Sequence, residues 1–147
     1  MAFKLSKKNI ISIIAGVVSF FIAYFGAQYF ISSSKTSKIE RQLKQASDDL
    51  NTRLPMQTDA FSRLDSTISI EHHTFRYYHT LLDIEKAAVN MDTVNKYVKP
   101  ELLRNARTSP DLQGFRDYGI TLEYTYYDKN GEYVTTITAT KEDYNNF

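Results

Sequence analysis

Apolar positions fall along this chain in successive regimes, and each regime predicts a different element. Residues 10–31 carry no charged side chain, and as a helix rising about 1.5 Å per residue such a run spans about 33 Å, enough to cross a hydrocarbon core of about 30 Å. This predicts a transmembrane helix. After Ser32, Ser33 and Ser34, the apolar residues Ile39, Leu43, Ala46, Leu50 and Leu54 recur at intervals of three and four, the stripe of an amphipathic helix. The helix should end at Leu54, because Pro55 disfavours the helical region for the residue before it. The stripe covers about two heptads, short of the roughly three to four that argue for a coiled coil. It therefore packs either on the following domain or weakly on another copy.

From Ser66 the period shortens to two. Ile68 and Ile70 alternate with Thr67, Ser69 and Glu71, and residues 74–82 are again rich in β-formers, which predicts two strands. They should pair as a hairpin around Glu71 to Thr74, although neither Gly nor Pro fixes the turn. From Asp92 the helical period returns, with Val94, Tyr97, Val98, Leu102, Leu103 and Ala106 on one broad face. Pro100 should split this run and sit in the first turn of a new helix, where its missing N–H costs nothing. Ser109-Pro110-Asp111 starts a short helix through Phe115, closed by Gly119. Ile120, Leu122, Tyr124 and Tyr126 then alternate with Thr121, Glu123, Thr125 and Tyr127 before Asp128-Lys129-Asn130-Gly131, and a returning strand runs from Tyr133 to Thr140. The expected fold class is α+β, a four-stranded, mainly antiparallel sheet (ββααββ) covered on one face by helices. The implied organisation is a basic head (1–9), a membrane helix (10–31), a juxtamembrane helix or stalk (32–54) and an α+β domain (55–147).

Composition sharpens the location. A formal charge of +1 over 147 residues hides a gradient: residues 1–31 hold three Lys and no acid, residues 32–54 five bases and three acids, and the remainder ten against fourteen. Lys4, Lys7 and Lys8 face Lys35, Lys38, Arg41 and Lys44 across the span, so basic flanks lie on both sides. The undiluted leading lysines and the short head favour an N-terminus inside, which in a bacterium puts the acidic domain in the periplasm, anchored in the inner membrane. The rival reading, a cleaved signal peptide, meets an apolar run too long for its core of about 7 to 15 residues. No convincing small-x-small site follows either, because Phe25 precedes Ala27 at the critical position. The bilayer is thus one expected partner. The helix carries small residues every fourth position at Ala15, Ser19, Ala23 and Ala27, a face suited to self-association or to a membrane partner, though such residues are common in any membrane helix.

Candidate chemistry is sparse. With no Cys, disulfides and thiolate metal sites are excluded. His72, His73 and His79 match no ligand spacing, and no phosphate-binding glycine loop, nucleophile elbow or dinucleotide fingerprint occurs. No catalytic residue, cofactor or metal site is assigned. The eleven Tyr are many for this length, and several on proposed strands must face outward where their neighbours face the core. Tyr78, Tyr127 and Tyr133 form the candidate interaction surface, since exposed Tyr suits protein contacts. A net-acidic domain without a basic stripe opposes nucleic-acid binding.

The residues Leu54-Pro55-Met56-Gln57-Thr58-Asp59, Arg63-Leu64-Asp65, Arg76 to Leu81, Val98-Lys99-Pro100-Glu101-Leu102 and the later Tyr118-Gly119-Ile120, Tyr124, Tyr126, Asp128 and Gly131 resemble a family of small bacterial envelope proteins of unknown function with an N-terminal anchor. The resemblance covers residues 54–144 and implies the fold without a chemistry. It also implies two Cys near the positions of Arg107 and Tyr144; this chain has neither, and packing of Tyr144 and Phe147 would stand in for the staple. The expected function is a membrane-anchored interaction or scaffolding module of the bacterial envelope. The alternative is a small-molecule or lipid-binding domain with a pocket between helices and sheet.

Overall fold

The computed structural model describes residues 36–58 and 60–145. The expected membrane helix, with Ala15, Ser19, Ala23 and Ala27, lies outside the described residues, among which no helix is long and apolar enough to cross a membrane. Helix α1 (Thr36–Asn51) is followed by β1 (Met56–Gln57), β2 (Ser62–Ile70) and β3 (Thr74–Leu81). Then come α2 (Met91–Thr93), a π-helical turn (Val94–Val98), α3 (Lys99–Thr108) and α4 (Gln113–Asp117), and finally β4 (Thr121–Tyr127), β5 (Tyr133–Ala139) and α5 (Lys141–Asn145).

The five strands form one sheet in the order β1-β2-β3-β4-β5. Neighbours pair antiparallel except β3 and β4, which run parallel at the centre. The expected four-stranded sheet thus gains a strand. β1 is two residues long, too short to show a period of two, and pairs only with Leu64 and Arg63. The parallel pair follows from the connection: α2 to α4 cross over between β3 and β4, and a crossover returns the chain in its original direction.

One face of the sheet carries the core. Phe75, Leu81, Leu122, Tyr124, Tyr126, Ile137 and Ala139 are buried there against Val94, Val98, Leu102, Ala106, Leu112 and Phe115 of the crossover helices. The stripe of α1 joins the same core through Ile39 and Leu43. Of the two fates open to that stripe, packing on the following domain is the one found, so α1 shares the core of the residues that follow it. Polar contacts fix the helix further. Ser47 Oγ donates to Thr67 O at 2.9 Å, while the Asn51 side chain accepts from Thr67 N at 2.7 Å and donates to Thr67 O at 2.9 Å. Asn51 thereby serves β2 as a strand neighbour would, beyond the point where β1 ends.

Pro100 sits in the first turn of α3, as expected, but the backbone upstream of it stays helical. Its missing N–H and bulky ring would disturb an α-helical turn, and the π turn over Val94–Val98 immediately upstream accommodates them while the backbone stays helical into α3. Tyr97, expected on the buried face, lies 43% exposed beneath Lys96, because the wider turn rotates it away from Val94 and Val98. α4 ends in the paired bonds Ile120 N to Phe115 O and Gly119 N to Arg116 O, with Gly119 at φ 61°: the left-handed helix stop in which glycine is favoured.

Candidate functional site

The face of the sheet opposite the core carries the expected interaction residues. Inward-facing residues of β3 and β4 alternate with Arg76, Tyr78, Thr80, Glu123, Thr125 and Tyr127, which therefore point the other way. The registers Thr80↔Tyr127 and Tyr127↔Tyr133 bring three tyrosines from three strands together. Their rings form a ladder, Tyr78 to Tyr127 at 6.3 Å between centroids and Tyr127 to Tyr133 at 6.0 Å with planes at 75°, distances typical of aromatic pairs. Tyr78 and Tyr127 are half-buried, and Tyr133 is 48% exposed.

Polar partners brace the ladder at both ends. Arg76 lies over the Tyr78 ring at 5.9 Å, donates to Tyr78 Oη at 3.2 Å and pairs with Glu123 at 2.6 Å. At the other end Tyr133 Oη donates to Thr136 Oγ1 at 3.2 Å, and Thr136 in turn meets the Thr125 hydroxyl at 2.9 Å. Asp65 binds Arg63 and the Thr80 hydroxyl. Ile68, opposite Arg76 on β2, is 45% exposed on the same side. The result is an aromatic strip whose rotamers are held before anything binds, with apolar, donor and acceptor groups within one patch.

The other three strand tyrosines turn inward. Tyr77 stacks on Tyr124 at 5.4 Å, and His79 stacks on Tyr126 at 5.0 Å. Burial holds the imidazole of His79 down to about 4, against a raising influence from Asp65, so it is neutral near pH 7. His72 and His73 sit in the β2–β3 turn with φ of 63° and 58°. The hairpin expected there is present, turned by histidines in the left-handed region, a conformation that no Gly or Pro announced. The turn between β4 and β5 is organised by Asp128, whose carboxylate accepts from the backbone N–H groups of Lys86, Asn130 and Glu132 at 2.8 to 2.9 Å. Those bonds, Lys86 first, hold its carboxyl below the usual carboxylate range. The sequence marks Asp128 as part of a turn, but nothing in it points to Lys86, 42 positions away.

Between the crossover helices and the sheet lies a shallow apolar cleft lined by Val94, Val98, Tyr126, Val134 and Ile137 among others, with room for about 10 Å³. One water molecule fills such a space. Ligand pockets are commonly about 300 to 1,000 Å³.

Residues 28–135 match the domain of unknown function DUF8479, and the chain belongs to that family. The matched span includes α1, as the shared core requires. In fold the chain is similar to a Pseudomonas aeruginosa protein (PA3611) described as secreted, with a TM-score of 0.62 at 13% identity over 77% of this chain and 98% of that one. It is also similar to AspS, a pilotin of the type II secretion system of Vibrio cholerae, with a TM-score of 0.56 at 15% identity over 74% and 94% of the two chains. A third likeness is to EpsS, the type 2 secretion pilotin of Vibrio vulnificus, at 0.53 and 12% over 76% and 96%. At these identities the likeness is one of fold. None of the curated proteins matches the chain.

Proposed function

We propose that this chain is an anchored interaction module of the bacterial envelope, whose α+β domain docks a protein partner through the open sheet face at Tyr78, Tyr127 and Tyr133. The observation that carries the reading is the braced ladder itself: three tyrosines from three strands, accessible and pre-ordered, on a sheet face opposite the core. Aromatic side chains held in place lose little entropy on binding and are enriched among the residues that dominate interfaces. The fold shared with a protein described as secreted and with two pilotins supports an envelope setting.

In this reading residues 10–31 cross the inner membrane, the N-terminus is cytoplasmic and the domain is periplasmic. A fusion reporter at residue 147 that is active only in the periplasm is the expected result; a cytoplasmic signal would overturn the orientation. The alternative, a small-molecule or lipid-binding domain, would need a site other than this cleft of about 10 Å³. The reading assigns the chain binding and no catalysis, with a neutral His79 packed as a core residue. Turnover of a substrate that was lost in both His79→Ala and His79→Gln while each variant stayed folded would contradict it. For the docking itself, crosslinking in native membranes should capture a defined protein or a second copy, and capture of neither would sink the proposal.

A further inference from the structure

We propose that Tyr127 and Tyr133 form an oxidative crosslinking site, at which a one-electron oxidant joins β4 to β5 through a dityrosine bond. The crosslink stands even if the ladder binds nothing. Its starting point is the pairing of the two residues across the final hairpin. They are direct partners in the β4–β5 register, and directly opposed residues of antiparallel strands hold their Cβ atoms about 4.5 to 5.5 Å apart. Their ring centroids are 6.0 Å apart with planes at 75°, so an edge of one ring is turned toward the other. Tyr133 is exposed, and exposed side chains change rotamer freely, which brings ring carbons of the pair within reach of each other. The chain has neither Cys nor Trp, so no thiol or indole intercepts the oxidant before tyrosine does.

The chemistry balances as follows from two phenols. Each gives one electron to the oxidant and its O–H proton to water, leaving a phenoxyl radical whose unpaired electron is shared with the ring carbons beside the oxygen. A C–C bond forms between one Cε of Tyr127 and one Cε of Tyr133. The hydrogen on each of those carbons then leaves as a proton, and a proton from water restores each phenol. Two electrons and two protons are lost in all, and two one-electron oxidants, of the kind formed when a haem iron activates hydrogen peroxide, are reduced. The other pairs are less suited. Tyr77 and Tyr124 stack closer, at 5.4 Å, but nearly parallel at 7° and with Tyr124 buried in the core, where close packing denies the rotation. Tyr78 lies 6.3 Å from Tyr127, yet Arg76 sits over its ring at 5.9 Å and donates to its Oη at 3.2 Å, and a nearby cation opposes loss of an electron. Tyr133 Oη instead donates to Thr136 Oγ1 at 3.2 Å, a bond whose direction eases departure of its proton. A partner docked on the ladder would shield the pair from oxidation; that consequence alone rests on the docking reading.

The test is oxidation of the detergent-solubilised full chain with light, ruthenium trisbipyridyl and persulfate, at a dose that couples added tyrosinamide to the exposed Tyr97. Trypsin cuts after Arg116, Lys129 and Lys141, which places Tyr127 and Tyr133 in separate peptides, 117–129 and 130–141. From chains that run as monomers on a denaturing gel, these two peptides should be recovered joined, lighter by two hydrogens than their sum, with dityrosine fluorescence and with fragmentation placing the bond at Tyr127 and Tyr133. Tyr127→Phe and Tyr133→Phe each keep the ring and lose the phenol, and each should remove the adduct, whereas Tyr78→Phe should leave it. Three results would each overturn the inference: no joined peptides once Tyr97 is coupled, a joined pair that survives Tyr133→Phe, or a joined pair confined to dimers.

Discussion

His79 shows how a single position couples burial to pH. Its imidazole is 3% exposed, stacked on Tyr126, and titrates near 4 in the fold against an ordinary value of 6.5. The unfolded chain therefore binds a proton between these values that the fold refuses, and stability falls as pH drops. The contribution is fully present above about pH 6.5 and lost as pH falls through about 4, amounting at most to about 3 kcal/mol. Urea unfolding from pH 7 to pH 4.5 should show the slope, and His79→Phe should flatten it; an equal slope in the variant would remove His79 as its source. The β2–β3 turn makes the opposite case, since His72 and His73 both hold positive φ where Asn-Gly is preferred. His72→Asn with His73→Gly should raise stability by about 1 kcal/mol, measured by the same unfolding curves.

At the scale of elements, the instructive one is α1. Its burial of Ile39, Leu43 and Leu50 and its bonds to Thr67 make it part of the domain. Asn51→Ala leaves the Thr67 N–H and C=O without that partner, at a cost of about 1 to 2 kcal/mol, seen as a lower urea midpoint and faster amide exchange in β2. Unchanged exchange there would show that solvent replaces the amide without penalty. The stripe of α1 was plain in the sequence, but its destination was not, because an apolar face specifies burial and not a partner. The final hairpin was the most legible element, since alternation and a turn with Gly131 at φ 79° agree. β1 was invisible at two residues, and the parallel β3–β4 pairing was hidden because strand direction depends on a crossover and leaves no local period. Tyr97 was misplaced by a π turn that shifts the helical phase by a residue. The tyrosine ladder was legible in part: Tyr78, Tyr127 and Tyr133 could be named from alternation, whereas their meeting depends on register across three strands and a bulge.

At the scale of the whole molecule, the described residues give the sheet two unlike faces. The helices and the core take one face of the sheet, Asn51 and β1 close one border, and the opposite face keeps its tyrosines accessible. Removing the ladder should therefore separate binding from folding. Tyr127→Ala and Tyr133→Ala together should leave the unfolding free energy within about 1 kcal/mol of the starting chain and weaken partner association about tenfold or more, as read by co-purification from solubilised membranes. Destabilisation that accounts for the whole loss of binding would assign the ladder to the fold alone. The most direct test of docking through this face is site-specific photocrosslinking of the full chain in native membranes, with the photoreactive residue placed at Tyr127 or, as a control, at the exposed Tyr97. A discrete adduct from position 127, absent from position 97 and lost with Tyr133→Ala, is the predicted result; identical products from both positions, or none from position 127, would contradict it.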